Sequence, residues 1–239
     1  MIKQLMIRFS VHLAKLITEK DFDLPHQLKK KATKEAVEFY HNHMQNAQVF
    51  KNKESMLDFE LKNVIKDGLY LEFGVAKAKY TNYIANKIQP TVIHGFDSFL
   101  GFPEYFDGTG SDYHNYKGKP PSVKKNVILH NGYFKDTLPE FIKNNNQKVT
   151  YLNVDCDLYS STKTVFDNLG DKIQKGTIIH FDEYLNFPDW RNHEYKVWSE
   201  FIEENNVEFE YIAIGKKGMV AVRVLEIQSE KSILDMNKK

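Results

Sequence analysis

GLYLEFGVAKAKYTNYIANKIQPTVIHGFDS, residues 68–98, has the pattern of a strand, a turn, a helix and a second strand. The apolar run 69–73 stops at Gly74, Ile84, Ala85 and Ile88 recur at helical spacing, and the run 92–96 stops at Asp97. An acid therefore stands at each strand end, Glu72 on the first and Asp97 on the second. In open parallel sheets ligands bind beyond the carboxyl ends of the strands, so Glu72, Gly74 and Asp97 are expected around one small molecule.

The chemistry of the turn narrows that molecule. A dinucleotide crevice needs closely spaced glycines so that backbone N–H groups can approach a pyrophosphate. Here the turn is Gly74-Val75-Ala76-Lys77-Ala78-Lys79, with one glycine of the usual three. Glu72 would repel a phosphate and attract a cation. S-adenosylmethionine carries an ammonium and a sulfonium and has no phosphate, and Asp97 can accept both of its ribose hydroxyls. The pattern favours this cofactor over NAD, so an NAD-dependent oxidoreductase ranks last.

Working outward, apolar runs at 69–73, 92–96, 127–130, 149–154 and 177–181 alternate with helical segments. That alternation predicts βαβ units and an α/β fold with a mostly parallel sheet. Residues 208–214 and 219–225, joined by Gly215-Lys216-Lys217-Gly218, predict an antiparallel C-terminal hairpin. Residues 1–67 read as a helical extension, with helices at 32–44 and 55–66, a break at Pro25 and a C-terminal cap at Asp67-Gly68. Residues 68–226 form the expected ligand-binding domain and 227–239 a polar tail. Thr137-Leu138-Pro139-Glu140 matches a capping box, Gly176 is expected to follow the helix through Val165 and Leu169, and the insert 101–123 is taken as a lid or substrate loop.

The 239 residues carry a net charge of +1 with Lys and Arg dispersed, which disfavours a nucleic-acid partner. No apolar run approaches the ~20 residues needed to cross a bilayer, so no membrane partner is expected. Ile2, Leu5, Met6, Phe9, Leu13, Leu16 and Ile17 recur at helical spacing and predict a helix packed on the domain or on a second copy of the chain. Cys156, the only cysteine, reads as a buried inert thiol, and a cytoplasmic setting fits it.

A second constellation follows two later strands: Asn153-Val154-Asp155-Cys156-Asp157 and His180-Phe181-Asp182-Glu183. Adjacent strands lie ~5 Å apart, so Asp155, Asp182 and Glu183 can converge on one hard cation such as Mg²⁺. Such an ion would lower the pKa of a substrate hydroxyl, which methyl transfer to oxygen requires. Asp157 is as readily a helix cap. His180 and His193 are alternative general bases, and His94 reads as a core or edge residue.

LEFGV (71–75), GFDSFLGFPE (95–104), GYFKDTLP (132–139), NVDCDLYSSTK (153–163) and HFDEYLNFPDW (180–190) together resemble the motifs of the macrocin O-methyltransferase family. The resemblance implies a Rossmann-like class I methyltransferase that uses S-adenosylmethionine on a hydroxyl of a sugar or glycosylated small molecule. It assigns Glu72, Gly74, Val75, Asp97 and Ser98 to the cofactor site, with Asp155 beside them and Asp136 near the adenine. It places Asp155, Asp182 and Glu183 at the Mg²⁺ position. A metal-independent enzyme with a histidine base, or a binding protein that has lost turnover, are the alternatives. Where the family tends to carry further glycine this chain has Ala78, Lys79 and Tyr80, expected to narrow the methionine end, and Glu183 stands where an aspartate is usual.

Overall fold

Every residue of Leu69–Phe73 is buried, because both faces of that strand are covered. The structure, a computed structural model, describes residues 2–65, 67–105 and 112–228, without the side chains of 12–21. Lys66, residues 106–111 of the insert, the tail from 229 on and the side chains of Leu13, Leu16 and Ile17 lie outside this description.

In chain order the elements are α1 (Ile2–Asp21), α2 (Leu24–His43), β1 (Gln48–Val49), α3 (Lys53–Asn63), β2 (Leu69–Phe73), α4 (Lys79–Ile88), β3 (Ile93–Asp97), β4 (Val127–Asn131), α5 (Phe134–Asn144), β5 (Val149–Val154), α6 (Tyr159–Leu169), β6 (Ile178–Phe181), α7 (Glu194–Glu204), β7 (Val207–Ile214) and β8 (Val220–Ile227). One sheet runs β1-β7-β8-β6-β5-β2-β3-β4. Among the described strands β8 alone runs antiparallel to its neighbours, β6 and β7, so the C-terminal hairpin closes an otherwise parallel sheet.

Alternate side chains divide the core into two layers, as the period of 2 requires. Leu71 and Phe73 pack with Phe39 of α2, Phe141 of α5, Phe166 of α6 and Trp198 of α7. Tyr70 turns to the other face, where Met56 and Leu57 of α3 and Ile84 of α4 lie. The chain order reverses around β2, which pairs with β3 on one side and β5 on the other, and this opens a crevice beyond their carboxyl ends.

Several local expectations are corrected. The first 67 residues are not helical throughout: β1 pairs with β7, and Phe50 N–H donates to Ile214 O at 2.8 Å. The break expected at Pro25 does separate the first two helices, α1 ending at Asp21 and Pro25 lying in the first turn of α2, where Asp23 accepts the His26 N–H. α3 ends at Asn63, so Gly68 caps nothing. It crosses another backbone, and a Cβ there would meet Lys148 O at 2.7 Å. Thr137 lies inside α5, which begins at Phe134, and its hydroxyl bonds back to Tyr133 O instead of capping. Gly176 stands seven residues beyond α6 and donates its N–H to Val224 of β8. The described residues of the insert are tied to Phe99, whose carbonyl accepts the N–H groups of Tyr116 and Gly118. Ile2, Leu5, Met6 and Phe9 of α1 are exposed rather than packed on the domain.

Candidate active site

A cavity of about 940 Å³ opens beyond β2, β3, β5 and β6. Glu72, Gly74, Val75, Asp97 and Ser98 line it on the β2–β3 side, and Asp155, Asp182 and Glu183 on the β5–β6 side.

On the β2–β3 side the turn obtains a glycine-like backbone without the glycines. Ala76 (φ 47°) and Ala78 (φ 57°) both occupy the left-handed region, at a cost of about 1–3 kcal/mol each. Asp97 offsets that strain: its Oδ2 accepts the N–H groups of Val75 and Ala76 at 2.9 and 2.8 Å, and its Oδ1 accepts that of Phe99 at 2.7 Å. Gly74 (φ 94°) is required by contact, since a Cβ there would sit 1.7 Å from Asp155 O. The two sides of the cavity meet at this residue. Glu72 is buried, accepts the Asn153 amide at 2.8 Å through Oε1, and has its pKa lifted to about 7 by burial. The Ser98 hydroxyl accepts the Leu100 N–H at 3.1 Å.

On the β5–β6 side a residue that the sequence reading passed over dominates. Lys53, the first residue of α3, is 6% exposed and places its ammonium 2.6 Å from Asp155 Oδ2 and 2.7 Å from Asp182 Oδ1. Burial lowers its pKa, but the two carboxylates more than reverse this and hold the ammonium well above its ordinary pKa. The same ammonium lies 4.3 Å over the Tyr80 ring. Tyr80 thus lines the cavity as the support of Lys53.

The remaining acids sort by their surroundings. Burial raises the Asp155 carboxyl against the pull of Lys53, whereas for Asp182 the Lys53 ammonium and the His180 imidazolium overcome burial and hold the carboxyl well below its usual range. Burial pushes Glu183 and Glu194 well up, helped by Asp157, and lifts Asp157 to about 7. Asp157 does not cap α6, whose N-cap is Leu158; it lines the cavity in a left-handed conformation. Cys156 is buried and burial raises its thiol pKa, which makes it inert.

Three expected site residues are not on the cavity wall. His180 is fully buried, with Nδ1 2.8 Å from Glu60 Oε1 and Nε2 3.6 Å from Asp182 Oδ1. Burial favours the neutral ring, but Glu60 reverses this and lifts the pKa to about 9, so His180 is a cation at neutral pH and has no lone pair to offer as a base. His193 is half-buried ahead of α7, with Nε2 3.9 Å from Asp189 Oδ2. Asp136 is exposed on the first turn of α5. His94 packs against His130 and Phe141, and burial lowers its pKa to about 4.

Lys53 and Glu60 did leave a signal in the sequence. With Met56 and Leu57 they occupy positions i, i+3, i+4 and i+7, the inward stripe of a helix. Two charges in that stripe hid its amphipathic character.

The macrocin-O-methyltransferase (TylF) family model matches residues 121–222, the part of the chain that carries Asp155, Asp182 and Glu183. The fold is that of CalS11, a calicheamicin methyltransferase, at 20% identity over 82% of this chain and 91% of the other, with a TM-score of 0.55. It is also that of the O-methyltransferase NovP, at 20% identity over 72% and 78% and a TM-score of 0.54. A second structure of CalS11, at 20% identity over 82% and 93% and a TM-score of 0.52, describes that enzyme as a TDP-rhamnose 3'-O-methyltransferase. No curated protein matches significantly. The fold is that of Rossmann-like methyltransferases, as the resemblance implied, and the part of the chain matching the family model carries the acids of the β5–β6 side.

Proposed function

We propose that this protein methylates a hydroxyl of a sugar-containing small molecule, with S-adenosylmethionine bound on the β2–β3 side and the acceptor held over Asp155. The observation that carries this reading is one cavity with Glu72 and Asp97 at one side and a half-buried Asp155 at the other. Glu72 suits the cofactor's ammonium, because its Oε2 has no hydrogen-bond partner of its own. Asp97 faces the same space and would take the ribose hydroxyls. The sugar acceptor is supported by the family match and by CalS11, which acts on TDP-rhamnose.

In the reaction the acceptor O–H loses its proton to a carboxylate, for which the raised Asp155 is better suited than the depressed Asp182. The freed oxygen lone pair attacks the methyl carbon in line, the C–S bond breaks, and its electrons neutralise the sulfonium to give the methyl ether and S-adenosylhomocysteine. His180, buried and cationic, takes no part as base in this reading.

Mg²⁺ on Asp155, Asp182 and Glu183 meets a competitor. The three offer oxygens within 4.8 Å of one another, which suits a hard cation. Yet Asp155 and Asp182 already hold the Lys53 ammonium at hydrogen-bond distance. The residues do not fit a metal unless Lys53 moves, and no step is routed through one.

No helix of the described residues is long and apolar enough to cross a membrane. The exposed apolar side chains of α1 support association with a second copy, and the single buried Cys156 is in keeping with a cytoplasmic setting.

Calorimetry with S-adenosylhomocysteine, followed by a screen of nucleotide-linked and glycosylated acceptors with isotopically labelled S-adenosylmethionine, tests the proposal. The expected result is micromolar binding and label on a sugar oxygen. Absence of binding at millimolar ligand overturns it.

A further inference from the structure

We propose that Lys53 is the resident cation of this site: its ammonium, clamped between Asp155 and Asp182, takes the place of a divalent metal. A lysine ammonium offers three donors. One goes to Asp155 Oδ2 at 2.6 Å, the ammonium also forms an ion pair with Asp182 Oδ1 at 2.7 Å, and the Tyr80 ring covers the group at 4.3 Å. The two carboxylates come from β5 and β6, the two strands whose acids were expected to share a metal.

The placement is built rather than incidental. Lys53 opens α3, where the positive end of the helix dipole disfavours a cation, so helix stability does not account for it. β1 fixes the chain just ahead of it, and the side chain of Asn52 caps the helix by accepting the Ser55 N–H at 2.8 Å. Met56 and Leu57 are fully buried one turn on. Two turns on, Glu60 accepts the Tyr151 hydroxyl at 2.7 Å and pairs with His180 at 2.8 Å, tying the same helix face to β5 and β6. These contacts leave Lys53 little freedom to withdraw and admit a second cation.

The inference concerns the same site as the methyl-transfer reading, but its test does not depend on turnover. Mn²⁺ alone serves as the probe, titrated into the full chain and followed by electron paramagnetic resonance, with S-adenosylhomocysteine binding measured separately. The parent protein and Lys53→Arg are expected to show no Mn²⁺ binding below millimolar concentration. Lys53→Met is expected to bind Mn²⁺ at least about 100-fold more tightly than the parent, because two carboxylates lose their counter-charge. The further change Asp182→Asn should abolish that gain, a pattern that a merely structural lysine would not produce.

Micromolar Mn²⁺ binding to the parent overturns the proposal, and so does a folded Lys53→Met variant that binds no better than the parent. Should Lys53→Met not fold, the parent titration decides alone. Failure of S-adenosylhomocysteine to bind sinks the methyltransferase reading and leaves the Mn²⁺ result to judge Lys53 separately.

Discussion

On the β2–β3 side of the cavity the groups that face a ligand come from one strand-turn-helix-strand unit, and Asp97 reaches the Val75 N–H across 22 residues of chain. On the β5–β6 side the central contact, Lys53 to Asp155, spans 102 residues, and His180 to Glu60 spans 120. The first side is held by a carboxylate on backbone N–H groups, so its form follows from local chain geometry. The second is held by charge pairing between elements that only the finished fold brings together. Local construction is legible along the chain, whereas charge pairing at this separation is not.

The largest expected effect removes the distinction altogether. Gly74 is where the sides touch, and Gly74→Ala drives a methyl group into the Asp155 carbonyl. We expect a loss on the order of 3 kcal/mol or more in denaturant unfolding, together with loss of S-adenosylhomocysteine binding. Unchanged stability would mean that the two sides are not in contact at this point.

A change on the β5–β6 side alone should separate them. Asp155→Asn is expected to lower kcat by about 10²–10⁴-fold, the usual worth of a positioned base, while S-adenosylhomocysteine affinity stays within a few-fold. Equal loss of both quantities in steady-state kinetics and calorimetry would merge the two sides into one site.

A smaller effect belongs to the β2–β3 side. Glu72→Gln should weaken S-adenosylmethionine binding by roughly 10- to 100-fold, as expected for one charged hydrogen bond. The sign of its pH dependence follows from burial, which lifts Glu72 to about 7. The carboxylate is the form that holds an ammonium, so affinity should rise with pH through about 7 and level off above it. Calorimetry between pH 6 and 8 checks this, and the glutamine variant should give a flat profile. A parent profile that is already flat would remove Glu72 from the cofactor's ammonium.

The histidines show why one strand position is read more safely than another. His94 and His180 both lie within strands, β3 and β6. His94 has His130 and Phe141 for company and is held neutral, with its pKa near 4; His180 has Glu60 and is held charged, with its pKa near 9. Nothing in the flanking residues distinguishes them, because the deciding neighbours lie on other elements. The turn shows a related effect: Ala76 and Ala78 adopt the left-handed conformation that glycine more usually supplies, stabilised by a carboxylate on the next strand. The capping box at Thr137 failed more simply, since the helix begins at Phe134 and turns the motif inward.

By itself the sequence determined strands β2 to β8, the parallel run of β2 to β6, and the placing of Glu72, Gly74, Asp97, Asp155, Asp182 and Glu183 at one sheet edge, because apolar runs that end in glycine or acid fix both a strand and its terminus. Only the tertiary structure decided what stands among those acids. α3 packs against the sheet through Met56 and Leu57, whose burial contributes about 1.5–3 kcal/mol each, and this carries Lys53 to the edge where two carboxylates face one another. Which charge answers which is set by the packing of whole elements, and that is why Lys53, far from the motifs in sequence, sits at their centre.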